Sequence, residues 1–233
     1  MELYRGKSKI ILQSNDENTV KIRFTDNATA FNGEKCETLP GKGTACAAIS
    51  NLIFRYLEEN GIETHLLEVL DDTHVTAKKA EIVGVEVIVR NVATGSFVKK
   101  YGVAEGKEFN PPVLEFCVKS DELGDPLVNE SQIIALSLAT KDELSEMERQ
   151  ALYINNLLCE LFAKVKIRLV DFKLEFGRYE NRLILCDEIS PDSCRLWDMK
   201  TGEKLDKDRF RQNLGDLVSG YNEVLKRLLE AQK

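Results

Sequence analysis

The segment Leu169-Val-Asp-Phe-Lys-Leu-Glu-Phe-Gly177 leaves this chain little choice of local structure. Val170, Phe172, Leu174 and Phe176 fall on one parity; Asp171, Lys173 and Glu175 fall on the other. Side chains on a strand have period two, so this reads as a strand with one apolar and one ionisable face. A second segment, Asp187-Glu-Ile-Ser-Pro-Asp-Ser-Cys-Arg-Leu-Trp-Asp198, follows ten residues later. If the chain turns near Tyr179-Glu180, Asp187 returns opposite or diagonal to Lys173 and Glu175. One face then holds Asp171, Lys173, Glu175 and Asp187. Three carboxylates around one ammonium repel one another unless a further cation intervenes. Mg²⁺ suits such a face, because it takes one or two carboxylates and completes its shell with phosphate oxygens and water. The competing reading is a solvated sheet face with a Lys–Glu pair, since structural ion networks leave the same signature.

The chain has 233 residues, 43% hydrophobic and 30% charged, enough for one large domain or two fused lobes. A net charge of −7 argues against general binding to nucleic acid or to an acidic membrane surface. It leaves room for small anions held by local Lys and Arg. No apolar run approaches the roughly 18–20 residues that span a bilayer, and the N-terminus lacks the apolar core of a signal peptide. Six cysteines without a C-x-x-C pair, and only two histidines, speak against structural zinc. Reduced thiols in the cytoplasm are the simplest expectation.

Residues 2–26 read as a meander of strands, and 26–43 as a long polar loop of the kind that is functional or mobile. Gly41, Lys42 and Gly43 frame this loop, which either folds over ligands or is plainly flexible. Thr44 is expected to cap a helix over 45–59, with Gly61 just past its end. Strands follow at 65–70, 74–79, 86–90 and 114–119, with a short helix at 94–102. Apolar residues recurring every three or four positions predict a long helix over 141–164. A hairpin spans 167–189, and a closing helix runs from 207 to 231, capped by Asp206. Strands first and mixed elements later indicate an α+β fold.

Three further groups suggest anion binding. Arg5-Gly6-Lys7-Ser8-Lys9 puts a Gly turn between strands. It lacks the Walker A pattern and is closer to the Gly-rich hairpin over nucleotide phosphates in kinase-like folds, or it is only a basic turn. Arg90 ends a strand shortly before Gly95-Ser96 opens a helix: an anion site, or for Ser96 an N-cap. Arg195 lies in a turn-rich loop where a guanidinium can clamp phosphate or carboxylate. Trp197 reads as a core anchor of that loop.

Taken together, these motifs resemble the SAICAR synthetase (phosphoribosylaminoimidazole-succinocarboxamide synthase) family over nearly the whole chain, in its short bacterial form. The matching stretches are Leu3-Tyr-Arg-Gly-Lys-Ser-Lys9, Thr29-Ala-Phe-Asn-Gly33, Val85-Glu-Val-Ile-Val-Arg-Asn91, Gly95-Ser96, the 167–189 hairpin, Asp206-Lys-Asp-Arg-Phe-Arg211 and, most specifically, Asp187 to Asp198. Lys100 stands where the family more often has Arg.

The resemblance implies two lobes: an N-terminal antiparallel sheet over 1–83 that binds ATP, and a larger α+β part over 84–233. The nucleotide cleft between them is similar to those of kinases and ATP-grasp enzymes. It implies an ATP-dependent ligase joining L-aspartate to the carboxylate of carboxyaminoimidazole ribonucleotide (CAIR) through an acyl phosphate, with Mg²⁺ as cofactor. Carried over, Gly6, Lys7, Ser8 and Lys9 cover the ATP phosphates, Glu81, Ile82 and Val83 form the adenine edge, and Lys119 faces the nucleotide. Glu175 and Asp187 hold Mg²⁺ with Lys173 beside them. Arg90, Ser96 and Arg195 grip the ribonucleotide phosphate, and Asp171 contacts the ribonucleotide's polar groups. A homodimer in the cytoplasm is implied. A kinase, another ATP-dependent carboxylate–amine ligase, or a silent nucleotide-binding regulator are the rival readings.

Overall fold

In the computed structural model, which describes residues 1–231, the chain opens with β1 (Glu2–Arg5), β2 (Lys9–Gln13) and β3 (Thr19–Phe24). Gln232 and Lys233, the end of the expected second lobe, lie outside the described residues. On β3 the alternating Val20, Ile22 and Phe24 are buried, as period two requires. Residues 26–43 are not a structureless loop. β4 (Asn27–Ala30) and β5 (Lys35–Thr38) pair antiparallel across a turn of 3-10 helix at Phe31–Gly33. The inward residues of β4 are Ala28 and Ala30, whose methyls are too small to mark an apolar strand.

Helix α1 (Lys42–Glu59) starts earlier than a Thr44 cap allows. Gly41 is its N-cap with φ 88, and Asp26 accepts a hydrogen bond from the Gly43 amide at 2.9 Å. β6 (Leu66–Val69) and β7 (His74–Lys78) complete a sheet in the order β1-β2-β3-β7-β6.

The second sheet begins with β8 (Glu81–Val92), followed by α2 (Gly95–Tyr101), β9 (Glu108–Val118), β10 (Leu127–Val128) and α3 (Glu130–Ala135). Then come α4 (Lys141–Lys164), β11 (Ile167–Tyr179), β12 (Arg182–Cys186) and β13 (Cys194–Asp198). Strand order is β10-β9-β8-β11-β12. β13 pairs with the first half of β11, and β12 with the second. Residues 187–193 therefore leave the sheet edge beside the middle of β11, and the Lys173 amide donates to the Ser193 carbonyl at 2.9 Å. α4 is closed at its N-terminus by a capping box of Thr140 and Glu143 and buries Leu144, Met147, Ala151, Ile154 and Leu158.

The expected closing helix is two helices, α5 (Asp208–Arg211) and α6 (Leu217–Glu230). Between them Asn213 and Gly215 have φ of 54 and 103, and Asp216 caps the second helix. Asp206 is fully buried and its carboxylate accepts from the amide of Asp208, in the first turn of α5, and from that of Leu196, both at 2.8 Å, tying this segment to β13. α6 packs back against α1. Among the described residues no helix is long and apolar enough to cross a membrane.

Candidate active site

Between the two sheets lies a cleft of about 850 Å³, into which the ionisable face of β11 points. That face is not a solvated one: Asp171 and Glu175 are each only 4% exposed. Glu86 of β8 stands opposite Glu175 in register, and the Lys173 ammonium lies 2.7 Å from both carboxylates. Lys119 reaches Glu175 at 2.8 Å. Burial works against the charge on Lys173, yet Glu175, Asp187 and Glu86 keep its ammonium protonated well above the usual lysine range.

Asp187 follows β12 with φ 64, which turns the chain so that both Asp187 and Glu188 meet Lys9 of the first sheet. Burial opposes the Asp187 charge, but Lys9 and Lys173 hold its carboxyl well below the ordinary range. Glu188 is 5% exposed and accepts the Ser190 hydroxyl at 2.5 Å. Sequence parity hid Glu188, because a regular strand sends neighbouring residues to opposite faces.

The carboxylates of Glu175 and Asp187 suit Mg²⁺. They are hard oxygen donors on one cleft wall, each paired with lysines. Among the described residues no group of three or more His, Cys, Asp and Glu is placed to hold a metal ion; Mg²⁺ commonly takes one or two carboxylates and fills the rest of its shell with water and phosphate oxygens.

Over this floor hangs the β1–β2 turn. The Gly6 amide donates to the Lys9 carbonyl at 2.9 Å, Lys7 reaches across to Asp121 at 2.7 Å, and Gly6, Lys7, Ser8 and Lys9 all line the cleft. Of the three residues at the expected adenine edge, Ile82 lines the cleft. Val83 is in the core, and Glu81 pairs with Arg178 at 3.0 Å.

At the other end of β11, Asp171 sits in register between Arg90 of β8 and Arg195 of β13. Both guanidiniums donate to its Oδ2, at 2.8 and 2.9 Å. Glu115 accepts from Arg90 Nε at 2.6 Å, and Asp208 accepts from Arg195 Nε at 2.9 Å. Gly95, with φ 56, leaves space for Arg195: a Cβ there would stand 2.7 Å from Nη2. Ser96 is exposed and lines the cleft, and it is not an N-cap, since α2 begins after Thr94. Trp197, expected in the core, is half-buried opposite Arg168.

Lys42 and Gly43 belong to the first turn of α1. Lys42 is 1% exposed, 2.5 Å from Asp192 Oδ2, and Tyr221 of α6 donates to Asp192 Oδ1 at 2.5 Å. Glu86, Glu188, Asp192, Lys207 and Arg211 are cleft residues that the sequence reading assigned no role. All five lie inside the matching stretches Val85–Asn91, Asp187–Asp198 and Asp206–Arg211.

The cleft has a lysine–carboxylate floor at one end and an arginine pair at the other, a pattern suited to ligands that carry negative charge. Residues 2–228 match the family model described as SAICAR synthetase, and the chain belongs to that family. The phosphoribosylaminoimidazole-succinocarboxamide synthase of Clostridium novyi (strain NT) is 50% identical over 230 residues, covering 99% of this chain and 98% of that one. The crystal structure of the Ehrlichia chaffeensis synthase shares 44% identity and a TM-score of 0.96 over 98% of both chains. A SAICAR synthetase (Type-2) in complex with ADP shares 42% identity and a TM-score of 0.95 over 97% of both.

Proposed function

We propose that this chain joins the amine of L-aspartate to the carboxylate of CAIR, converting ATP to ADP and phosphate and releasing SAICAR. The observation that carries this reading is the division of one strand face into two anion sites. Glu175 and Asp171 are four residues apart on β11, about 13 Å by strand rise. The first is surrounded by lysines, the second by arginines. One ligand with a phosphate chain and another with its own phosphate can lie along this face with their reacting ends between.

A carboxylate is a poor acyl donor, because its leaving group is oxide. Attack of a CAIR carboxylate oxygen on the ATP γ-phosphorus expels ADP and leaves an acyl phosphate. The aspartate amine then attacks the acyl carbon, loses a proton and expels phosphate, which keeps the CAIR oxygen. Gly6, Lys7, Ser8 and Lys9 cover the phosphate chain, and Lys119 faces it. Ile82, with the strand edge of Glu81 and Val83, flanks the adenine. Arg90, Ser96 and Arg195 take the ribonucleotide phosphate. Asp171 holds the two arginines side by side and meets the ribonucleotide's polar groups. Lys173 balances charge between Glu86 and Glu175. Glu175 and Asp187 hold Mg²⁺, which when bound supplies neutralising charge to the phosphates. Most of the protein's contribution is thus positioning and electrostatics.

On this reading residues 1–83 form the ATP lobe and 84–233 the larger lobe, and the enzyme works as a cytoplasmic homodimer. The test uses CAIR carrying heavy oxygen in its carboxylate. Released phosphate is expected to carry label from that carboxylate. Unlabelled phosphate would exclude the acyl phosphate.

A further inference from the structure

On the reading above Asp187 holds Mg²⁺, and it opens a segment that no sheet ladder fixes. Residues 187–193 lie between β12 and β13 and belong to neither strand. A metal ligand is only as well placed as the groups behind it.

Within itself the segment is closely tied. The Ser190 hydroxyl donates to Glu188 Oε2 at 2.5 Å and accepts from the Asp192 amide at 3.1 Å. The Ser193 hydroxyl donates to the Glu188 carbonyl at 3.2 Å and accepts from the Ser190 amide at 3.1 Å. Pro191 fixes a further backbone angle. Glu188 to Ser193 is therefore one unit, and Asp187 is joined to it directly.

Two helices that pack on each other, α1 and α6, anchor this unit. The Ile189 amide donates to the Ser50 hydroxyl of α1 at 3.2 Å. Tyr221 of α6 donates its hydroxyl to Asp192 Oδ1 at 2.5 Å, and Lys42 of α1 lies 2.5 Å from Oδ2. Asp192 lines the cleft; among the described residues, Lys42, Ser50 and Tyr221 do not, and all three are buried.

A lysine is almost never buried this completely unless it is paired, and the pair is costly to desolvate. Apolar side chains of similar volume could hold α1 against α6 at no greater cost. They could not aim a loop, because apolar contact has no direction, whereas a hydrogen bond sets both distance and angle.

We infer, on that reading, that Tyr221, Ser50 and Lys42 are positioning residues of the metal site. Acting through Asp192 and Ile189, they set where the Asp187 carboxylate meets Mg²⁺. The C-terminal helix thereby takes part in the site without reaching it.

The test is ADP binding to the full-length enzyme by calorimetry, in chelator and at rising Mg²⁺. Tyr221→Phe keeps the ring in the core and removes one hydroxyl. Ser50→Ala removes the anchor on the other helix. Each is expected to raise the Mg²⁺ concentration needed for the full gain in ADP affinity about tenfold, the lower end of what a group behind a metal ligand commonly contributes. ADP affinity in chelator should not change. A role in stability alone would lower the unfolding temperature of both variants and leave their Mg²⁺ dependence as it was; that result would overturn the inference. An equal loss of ADP affinity with and without Mg²⁺ would also overturn it, as a general disturbance of the cleft. If Tyr221→Phe does not fold, Ser50→Ala carries the same test. An unsubstituted enzyme whose ADP affinity gains nothing from Mg²⁺ would overturn the metal assignment itself, and the inference with it.

Discussion

Lys9 of the first sheet and Glu188 of the second meet across the cleft, with the ammonium nitrogen 2.9 Å from Oε1. The same ammonium pairs with Asp187. Lys9 thus ties the first sheet to the carboxylates beside the proposed metal site.

Lys9→Met removes the cation from two carboxylates at once. Removing one partner of a buried pair costs about 3–5 kcal/mol, because the other charge stays buried alone. Urea denaturation is expected to show a loss near the lower end, about 3 kcal/mol. A loss under about 1 kcal/mol, the level of an exposed pair, would mean that water reaches these carboxylates freely.

Asp187→Asn should leave the protein folded and remove most turnover. The residue has φ 64, a conformation that Asn adopts readily. What is lost is a negative charge facing Lys9 and the proposed metal. The expected fall in kcat is about 10²- to 10³-fold, typical for one preorganised electrostatic contact. Turnover close to that of the unsubstituted enzyme would remove Asp187 from the metal site.

Gly95→Ala should act on the ribonucleotide and spare ATP. The added Cβ would lie 2.7 Å from Arg195 Nη2, so the guanidinium must move. We expect the CAIR KM to rise about tenfold, equivalent to roughly 1.4 kcal/mol, with the ATP KM unchanged. Equal effects on both would show a general disturbance of the cleft.

His65 gives the fold an acid-sensitive point. Burial, reinforced by Lys9, lowers its pKa from 6.5 to about 4, against the pull of Asp187. Between those values the unfolded chain binds a proton that the folded one refuses. This contribution to stability is therefore full above pH 6.5 and is lost as pH falls through about 4. Denaturation curves across this range should flatten in His65→Gln. An unchanged slope would place the acid sensitivity elsewhere.

What the sequence made legible was what local chemistry decides. β11 could be read because large apolar and charged residues alternate along it. The bounds of α4 followed from its periodicity, and its capping box of Thr140 and Glu143 is local. β4 escaped because alanines carry its inner face. The break between α5 and α6 escaped because Asn213 and Gly215 interrupt an otherwise helical pattern. In the site, parity brought Asp171, Lys173 and Glu175 together. The joining of Arg90 and Arg195 through Asp171 needed the strand order β8-β11-β13, which no local pattern states. Asp192 is defined by Lys42 on α1 and Tyr221 on α6, both far away in the chain.

One cleft is proposed to couple ATP to the joining of an amino acid and a phosphorylated carboxylate. The most direct measurement is phosphate release from ATP with CAIR and aspartate omitted in turn. Sustained release is expected only when all three substrates and Mg²⁺ are present, with one SAICAR formed per phosphate, the ratio this chemistry requires. Sustained release that needs neither CAIR nor aspartate would contradict it.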